Sequence, residues 1–357
     1  MPKLPDLASG FKTLREVDLN AIRVQAEAPF HLAIIGDAGV GKSTLIAQLL
    51  AGPRASDPPG VRPVSEQRLQ DSIALQPHSV ALLVLDATRN EHPRERQVFQ
   101  ALRAAAPGAP VLVCYNKADL APNPQAVLNE ALHFPGSEVV AVSAEDRQSL
   151  LRELTPALLR VGRGREILLA RHLPILRESV ARALIDEACF TNAGYSLATG
   201  LAEINLVLDV PLNVADMVVL TKNQALMAYK IALAAGLPAD WRETIPKLAA
   251  VVGSAFLWRQ AARQLVGLIP AYGIVPKIAV SYAGTYAVGQ AIYQWCAHGE
   301  KLRPAALRSL YTEALHRGRE LAHRLVAKRR LPRLPAPKKP AARAWPGRRP
   351  SPRKRTG

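Results

Sequence analysis

The densest chemistry in the chain lies in one run, Gly36-Asp37-Ala38-Gly39-Val40-Gly41-Lys42-Ser43, followed by Thr44. It matches the pattern GxxxxGK[ST] in the setting that pattern needs. The apolar segment His31–Ile35 leads in as a strand, and a helix leaves from about Lys42 to Leu50. Glycines at these spacings let backbone N–H groups turn inward around a phosphate, and the helix N-terminus adds its partial positive charge. Lys42 has the reach and charge for the β- and γ-phosphates of a nucleotide, and the Ser43 hydroxyl suits Mg2+. A chance glycine-rich turn is the alternative, and the flanking strand and helix argue against it.

A second constellation closes two later apolar runs. Asn116-Lys117-Ala118-Asp119 ends PVLVCYN (110–116), and Ser143-Ala144-Glu145 ends EVVAVSA (138–144). The first resembles the NKxD motif of GTPases, and the second resembles their third guanine-binding element. The resemblance implies that Asp119 accepts hydrogen bonds from guanine N1 and the 2-amino group. It also implies that Asn116 contacts N7, that the Lys117 stem packs over the base, and that the Ala144 amide, beside Ser143, faces the base oxygen. A carboxylate that must pair with two donors is left unsatisfied by adenine, which is how such a site rejects it. The implied ligands are GTP and GDP with Mg2+.

The segment between these motifs departs from the GTPase pattern, which needs a carboxylate near Mg2+ at the head of DxxG and an earlier Thr. Asp57-Pro58-Pro59-Gly60 fits DxxG in letters, yet it follows the phosphate-loop helix too closely to leave room for the usual β-hairpin. Asp86, at the end of the apolar strand VALLVLDA (80–87), is the rival metal carboxylate, and neither is a third reading. Each Asp also suits an ordinary turn or strand-end cap. No Thr occurs between Thr44 and Thr88; Ser65 is either a stand-in for it or an ordinary surface-loop Ser. No Gln or Arg stands out in the sequence as a residue that would orient an attacking water. Slow hydrolysis, or binding without hydrolysis, follows.

Around these motifs, apolar runs of strand length alternate with helices. That pattern indicates βα units, a mostly parallel sheet covered on both faces, and thus an α/β P-loop domain. Residues 65–75 read as helix-like. The periodicity divides the chain into an N-terminal helix (1–28), a nucleotide-binding domain (29–163), a helical domain (164–327) and a Pro/Arg/Lys-rich tail (328–357) that composition marks as disordered. The helical domain opens with a charged connector helix (164–188) and continues with a very apolar, all-α core (189–299).

The whole resembles an Era-like (TrmE/Era-type) GTPase domain fused to a YcjF-type helical domain of unknown function. The second half of that resemblance is carried by LPILRESVARALIDEACFTNAGYSLATGL, VADMVVLTKNQALMAYKIA, ARQLVGLIPAYG and TYAVGQAIYQW. The resemblance implies a bacterial protein, membrane-associated and placed at or in the inner face of the cytoplasmic membrane. Ile278–Gly299 has the length of a bilayer span of ~20 apolar residues, though it carries Ser, Thr, Gln and several Gly or Ala. A membrane-embedded hairpin and a helical bundle therefore both stay open. Asp216, Lys222, Asn223 and Gln224 sit among apolar residues, either as a polar network or as helix caps.

Charge and cysteines bound the rest. Of the formal +17, residues 321–357 contribute 13 Lys and Arg with no Asp or Glu, which leaves +4 for everything before them. Such a tail suits an anionic membrane surface, or salt-dependent RNA or ribosome binding. Only Trp345 is available for stacking, which excludes sequence-specific recognition by the tail. A homo-oligomer completes the partner expectations. Cys114, Cys189 and Cys296 are scattered, which excludes a disulfide framework or zinc site and points to a reducing, cytoplasmic compartment.

Overall fold

A computed structural model describes residues 19–52, 64–68, 79–122, 130–205, 212–253 and 274–328. After α1 (Leu19–Ala26), the chain builds β1 (His31–Gly36), α2 (Lys42–Leu50), β2 (Val64–Arg68), β3 (Ser79–Asp86), α3 (Pro93–Ala105), β4 (Val111–Asn116) and β5 (Glu138–Ala141). A helical run follows, through a π turn at Leu150–Leu154 into α4 (Thr155–Val161). The strands form one five-stranded sheet in the order β2-β1-β3-β4-β5, and every pairing is parallel. Continuous apolar runs explain this, because β1 is buried from Leu32 onwards and β4 along its whole length.

One face of the sheet packs Leu32, Ile34 and Leu82 against Leu45 and Leu49 of α2 and the Leu150–Leu158 helix. The other packs Ile35, Leu83 and Val113 against Phe99 and Leu102 of α3 and Phe134. The chain leaves β1 outward to β2 and returns to β3 on its other side. The strand order therefore reverses at β1, and ligands in open parallel sheets bind in the crevice at the carboxyl ends of strands at such a point.

Beyond α4 the described chain is helical: α5 (Glu166–His172), α6 (Arg177–Asn205), α7 (Leu212–Ala234), α8 (Trp241–Gly253), α9 (Ile274–His298) and α10 (Pro304–Lys328). Small residues bring these helices close. A Cβ on Gly289 would lie 2.6 Å from Ile185 of α6, and one on Gly318 of α10 would lie 2.9 Å from the Ala279 carbonyl of α9. The two halves also share core. Leu168, Leu173, Ile175 and Ala234 join the cluster under the sheet, Phe30 stacks on His172 at 5.4 Å, and a Cβ on Gly52 would lie 2.9 Å from Pro174.

Two expectations are corrected here. Residues 64–68 form an edge strand, not part of a helix. Their backbone pairs with β1 over Leu32↔Val64 to Gly36↔Arg68, and that pairing overrides a polar composition that does not look like a strand. The membrane-associated placement, at or in the cytoplasmic membrane, is overturned as well: among the described residues no helix is long and apolar enough to cross a membrane. The apolar run from Ile278 to His298 lies in α9, where its buried positions pack against other helices. Ala279, Ala283 and Ala287 pack with Tyr311 and Ala314 of α10, while Val288, Ile292 and Cys296 pack among residues of α6 and α7. The basic tail beyond Lys328, Asp57, and residues 1–18 of the expected N-terminal helix lie outside the described residues.

Candidate functional site

The loop after β1 is shaped by what surrounds it. Gly36 has no room for a side chain, since a Cβ there would meet the Val84 carbonyl of β3 at 2.6 Å. Gly41 has φ +90°, and a Cβ on it would meet Asn116 Nδ2 at 2.2 Å. Between them Ala38 and Gly39 are exposed, Val40 is buried, and Ser43 and Thr44 are exposed in the first turn of α2. Lys42 is buried at 4% exposure, and its ion pair with a carboxylate, that of Glu66, is a long one at 3.5 Å. Its Nζ donates to the carbonyls of Gly36 (3.1 Å) and Asp37 (2.7 Å). A cation is thus held inside the loop by weak acceptors, which a phosphate can replace.

Glu66 of β2 completes this end of the site, and sequence reasoning missed it. Its Oε2 accepts from Ser43 Oγ at 3.3 Å, and its Oε1 lies 3.5 Å from Lys42 Nζ. Two hard oxygen donors therefore meet beside the buried Lys, a donor set that suits Mg2+, which takes one or two protein oxygens together with substrate phosphates. Among the described residues no cluster of three or more His, Cys, Asp or Glu could hold a metal by itself. The side chain of Ser65 is outside the described residues.

Asp86, the rival carboxylate, is engaged elsewhere. Lys117 Nζ donates to its Oδ2 at 2.6 Å, and Thr88 donates to its Oδ1 from both Oγ1 (2.6 Å) and N–H (3.0 Å). Burial pushes this carboxyl up, but the hydrogen bonds from Lys117 and Thr88 outweigh it and hold it below the usual carboxylate range.

At the other end, Asn116 is buried and ties three segments together. Its Nδ2 donates to the Val40 carbonyl of the loop after β1 (2.8 Å), and its Oδ1 accepts from the Ala144 N–H (2.8 Å). The N–H of Ser143, which is also buried, donates to Ser149 Oγ (3.1 Å). Lys117 has φ 63°, the only positive φ outside glycine among the described residues, and such conformations gather where function demands them. The turn it starts, Ala118–Leu120, carries Asp119, whose carboxylate is exposed and has no partner among the described residues. The structure therefore ties the loop after β1, Asn116 and Ala144 together through two hydrogen bonds and leaves the Asp119 carboxylate exposed.

The cysteines contribute no nucleophile. All three are free and buried, and burial pushes the Cys114 and Cys296 thiols up to about 12.

Scans of the chain against protein-family models and against curated proteins found no match. Fold and site define a coarse class: an α/β domain of nucleotide-binding-like topology followed by a largely α-helical domain. That architecture is generic and singles out neither the Era-type nor the YcjF-type family.

Proposed function

We propose that the chain binds GTP and GDP with Mg2+ and acts as a slow guanine-nucleotide switch read out by its helical half. The observation that carries this reading is the Asn116 side chain, which locks the phosphate loop at Val40 to the strand-end segment at Ala144. The two halves of the sequence pattern, GDAGVGKS and NKAD, thereby serve one crevice. In this reading Lys42 exchanges its carbonyl partners for the β- and γ-phosphates, Ser43 and Glu66 hold the cation, and Asp119 selects guanine.

Slow hydrolysis follows from the sequence, in which no Thr precedes Thr88 in the switch segment. Coupling is supported by the shared core, since Pro174 abuts Gly52 just beyond α2 and Phe30 stacks on His172. The finer identity, an Era-type domain joined to a YcjF-type domain, remains a proposal on the sequence motifs.

The test is titration of fluorescent GDP, GTP and ATP analogues against wild type, Lys42→Ala and Asp119→Asn. Wild type should prefer guanine over adenine by about two orders of magnitude or more. Lys42→Ala should weaken all nucleotides about 100-fold. Asp119→Asn exchanges an acceptor for a donor, and should turn preference from guanine to xanthine, which carries an oxygen where guanine has its amino group. Unchanged guanine preference in Asp119→Asn would sink the assignment.

A further inference from the structure

We propose that Arg89 is a phosphate-contacting residue of this site, an in-chain guanidinium that meets the terminal phosphate of GTP and makes the pocket prefer GTP to GDP. It builds on the nucleotide-binding reading above and adds to it the device that senses the third phosphate.

The placement starts from the turn after β3. Arg89 N–H donates to the Asp86 carbonyl (3.1 Å), His92 Nε2 lies 3.0 Å from the same oxygen, and Thr88 is hydrogen-bonded to the Asp86 carboxylate. The backbone at Arg89 is therefore fixed, while its side chain is half exposed and reaches across to the phosphate loop. There Nη1 lies 3.5 Å from Asp37 Oδ2. Asp37 marks the phosphate end of the crevice, because its carbonyl is one of the two that hold Lys42 Nζ (2.7 Å).

The contact with Asp37 is long for a charge-assisted hydrogen bond, which runs about 2.7–2.9 Å. A half-exposed pair of this kind adds little to stability. It does keep a guanidinium beside the loop, and a phosphate offers that planar fork two oxygens where Asp37 offers one at a distance. Arg94, in the first turn of α3, adds to the positive field felt at Asp37. The sequence has no Thr in the segment that would carry the usual sensor of the terminal phosphate, and Arg89 reaches the loop from the turn after β3.

The test compares affinities for GDP and a non-hydrolysable GTP analogue, at fixed Mg2+ and salt, in wild type, Arg89→Ala, Asp37→Asn and the double variant. Arg89→Ala should weaken the analogue about tenfold and leave GDP within about twofold. The same loss should persist when Arg89→Ala is made in the Asp37→Asn background, because the phosphate contact does not need Asp37. If both nucleotides change equally, or if the loss vanishes in the Asp37→Asn background, Arg89 only balances the Asp37 charge and the proposal is overturned. If wild type binds no guanine nucleotide, the functional reading itself falls and this inference falls with it.

Discussion

The two halves of the molecule leave their polar side chains in different states of pairing. In the helical half, Asn192 is fully buried. Its Nδ2 donates to Thr285 Oγ1 (2.9 Å), its Oδ1 accepts from Asn223 Nδ2 (2.7 Å), and its carbonyl accepts from Ser281 Oγ (3.2 Å). Gln224 Nε2 also donates to Thr285 Oγ1, at 3.2 Å. These groups satisfy one another across α6, α7 and α9, far from any helix end, so the network reading of Asn223 and Gln224 fits them better than capping. In the sheet half, Lys42 is held by backbone carbonyls and one distant carboxylate, and Asp119 has no partner among the described residues. A closed network fixes how helices pack, whereas an open one leaves partners to be exchanged.

The largest expected stability effect tests the closed network. Asn192→Leu removes two side-chain hydrogen bonds and leaves Asn223 and Thr285 facing an apolar group, so it should destabilise the fold by about 2 kcal/mol. Guanine-nucleotide affinity should stay within about twofold, the mirror image of Lys42→Ala, which should lose affinity at little cost in stability. Chemical denaturation paired with nucleotide titration measures both. A change in nucleotide affinity in Asn192→Leu would show that the network reports on the site and is more than packing.

A smaller effect separates the interface from both regions. His172 stacks on Phe30, its Nδ1 is buried with no hydrogen-bond partner, and burial followed by the charges of Arg171 and Arg177 pushes its pKa down to about 4. The folded protein therefore binds this proton less readily than the unfolded chain, whose value is near 6.5. Stability from this residue is complete above pH 6.5 and is lost as pH falls towards 4. With allowance for partial solvent screening the loss is roughly 1–2 kcal/mol. His172→Phe should keep the stack and flatten that acid limb in a series of thermal melts. An unchanged pH profile would show that another group sets it.

Much of the sheet half was legible in the sequence because buried parallel strands and their glycine loop have one reading. The segment 31–44 combines an apolar run, the glycine spacing and a helix start, and the structure forms each where the residues imply. The helical half was legible as helices, yet hydropathy cannot tell a lipid neighbour from a protein one. Ile278–Gly299 looks like a bilayer span until α6, α7 and α10 are seen to surround it. The short edge strand was illegible for another reason. Val64–Arg68 is mostly polar, and only pairing with β1 makes it a strand. Glu66 lies within it, and its polar surroundings in the sequence give no signal that it will sit beside Ser43.

The role of Glu66 gives the smallest and most discriminating prediction. As a metal-facing carboxylate it acts on nucleotide only through Mg2+, while as a partner of Lys42 it acts whether or not the cation is present. Glu66→Gln keeps the shape and a hydrogen bond to Ser43 but removes the charge. It should raise the Mg2+ concentration needed for tight GTP binding about tenfold, and leave affinity in excess chelator unchanged or slightly higher, because Lys42 is then freer to meet phosphate. Titrating Mg2+ against a fixed fluorescent GTP analogue reads this directly. An equal shift with and without Mg2+ would make Glu66 a charge partner of Lys42 alone. The carboxylate side of the site would then have to be sought outside the described residues, where Asp57 lies.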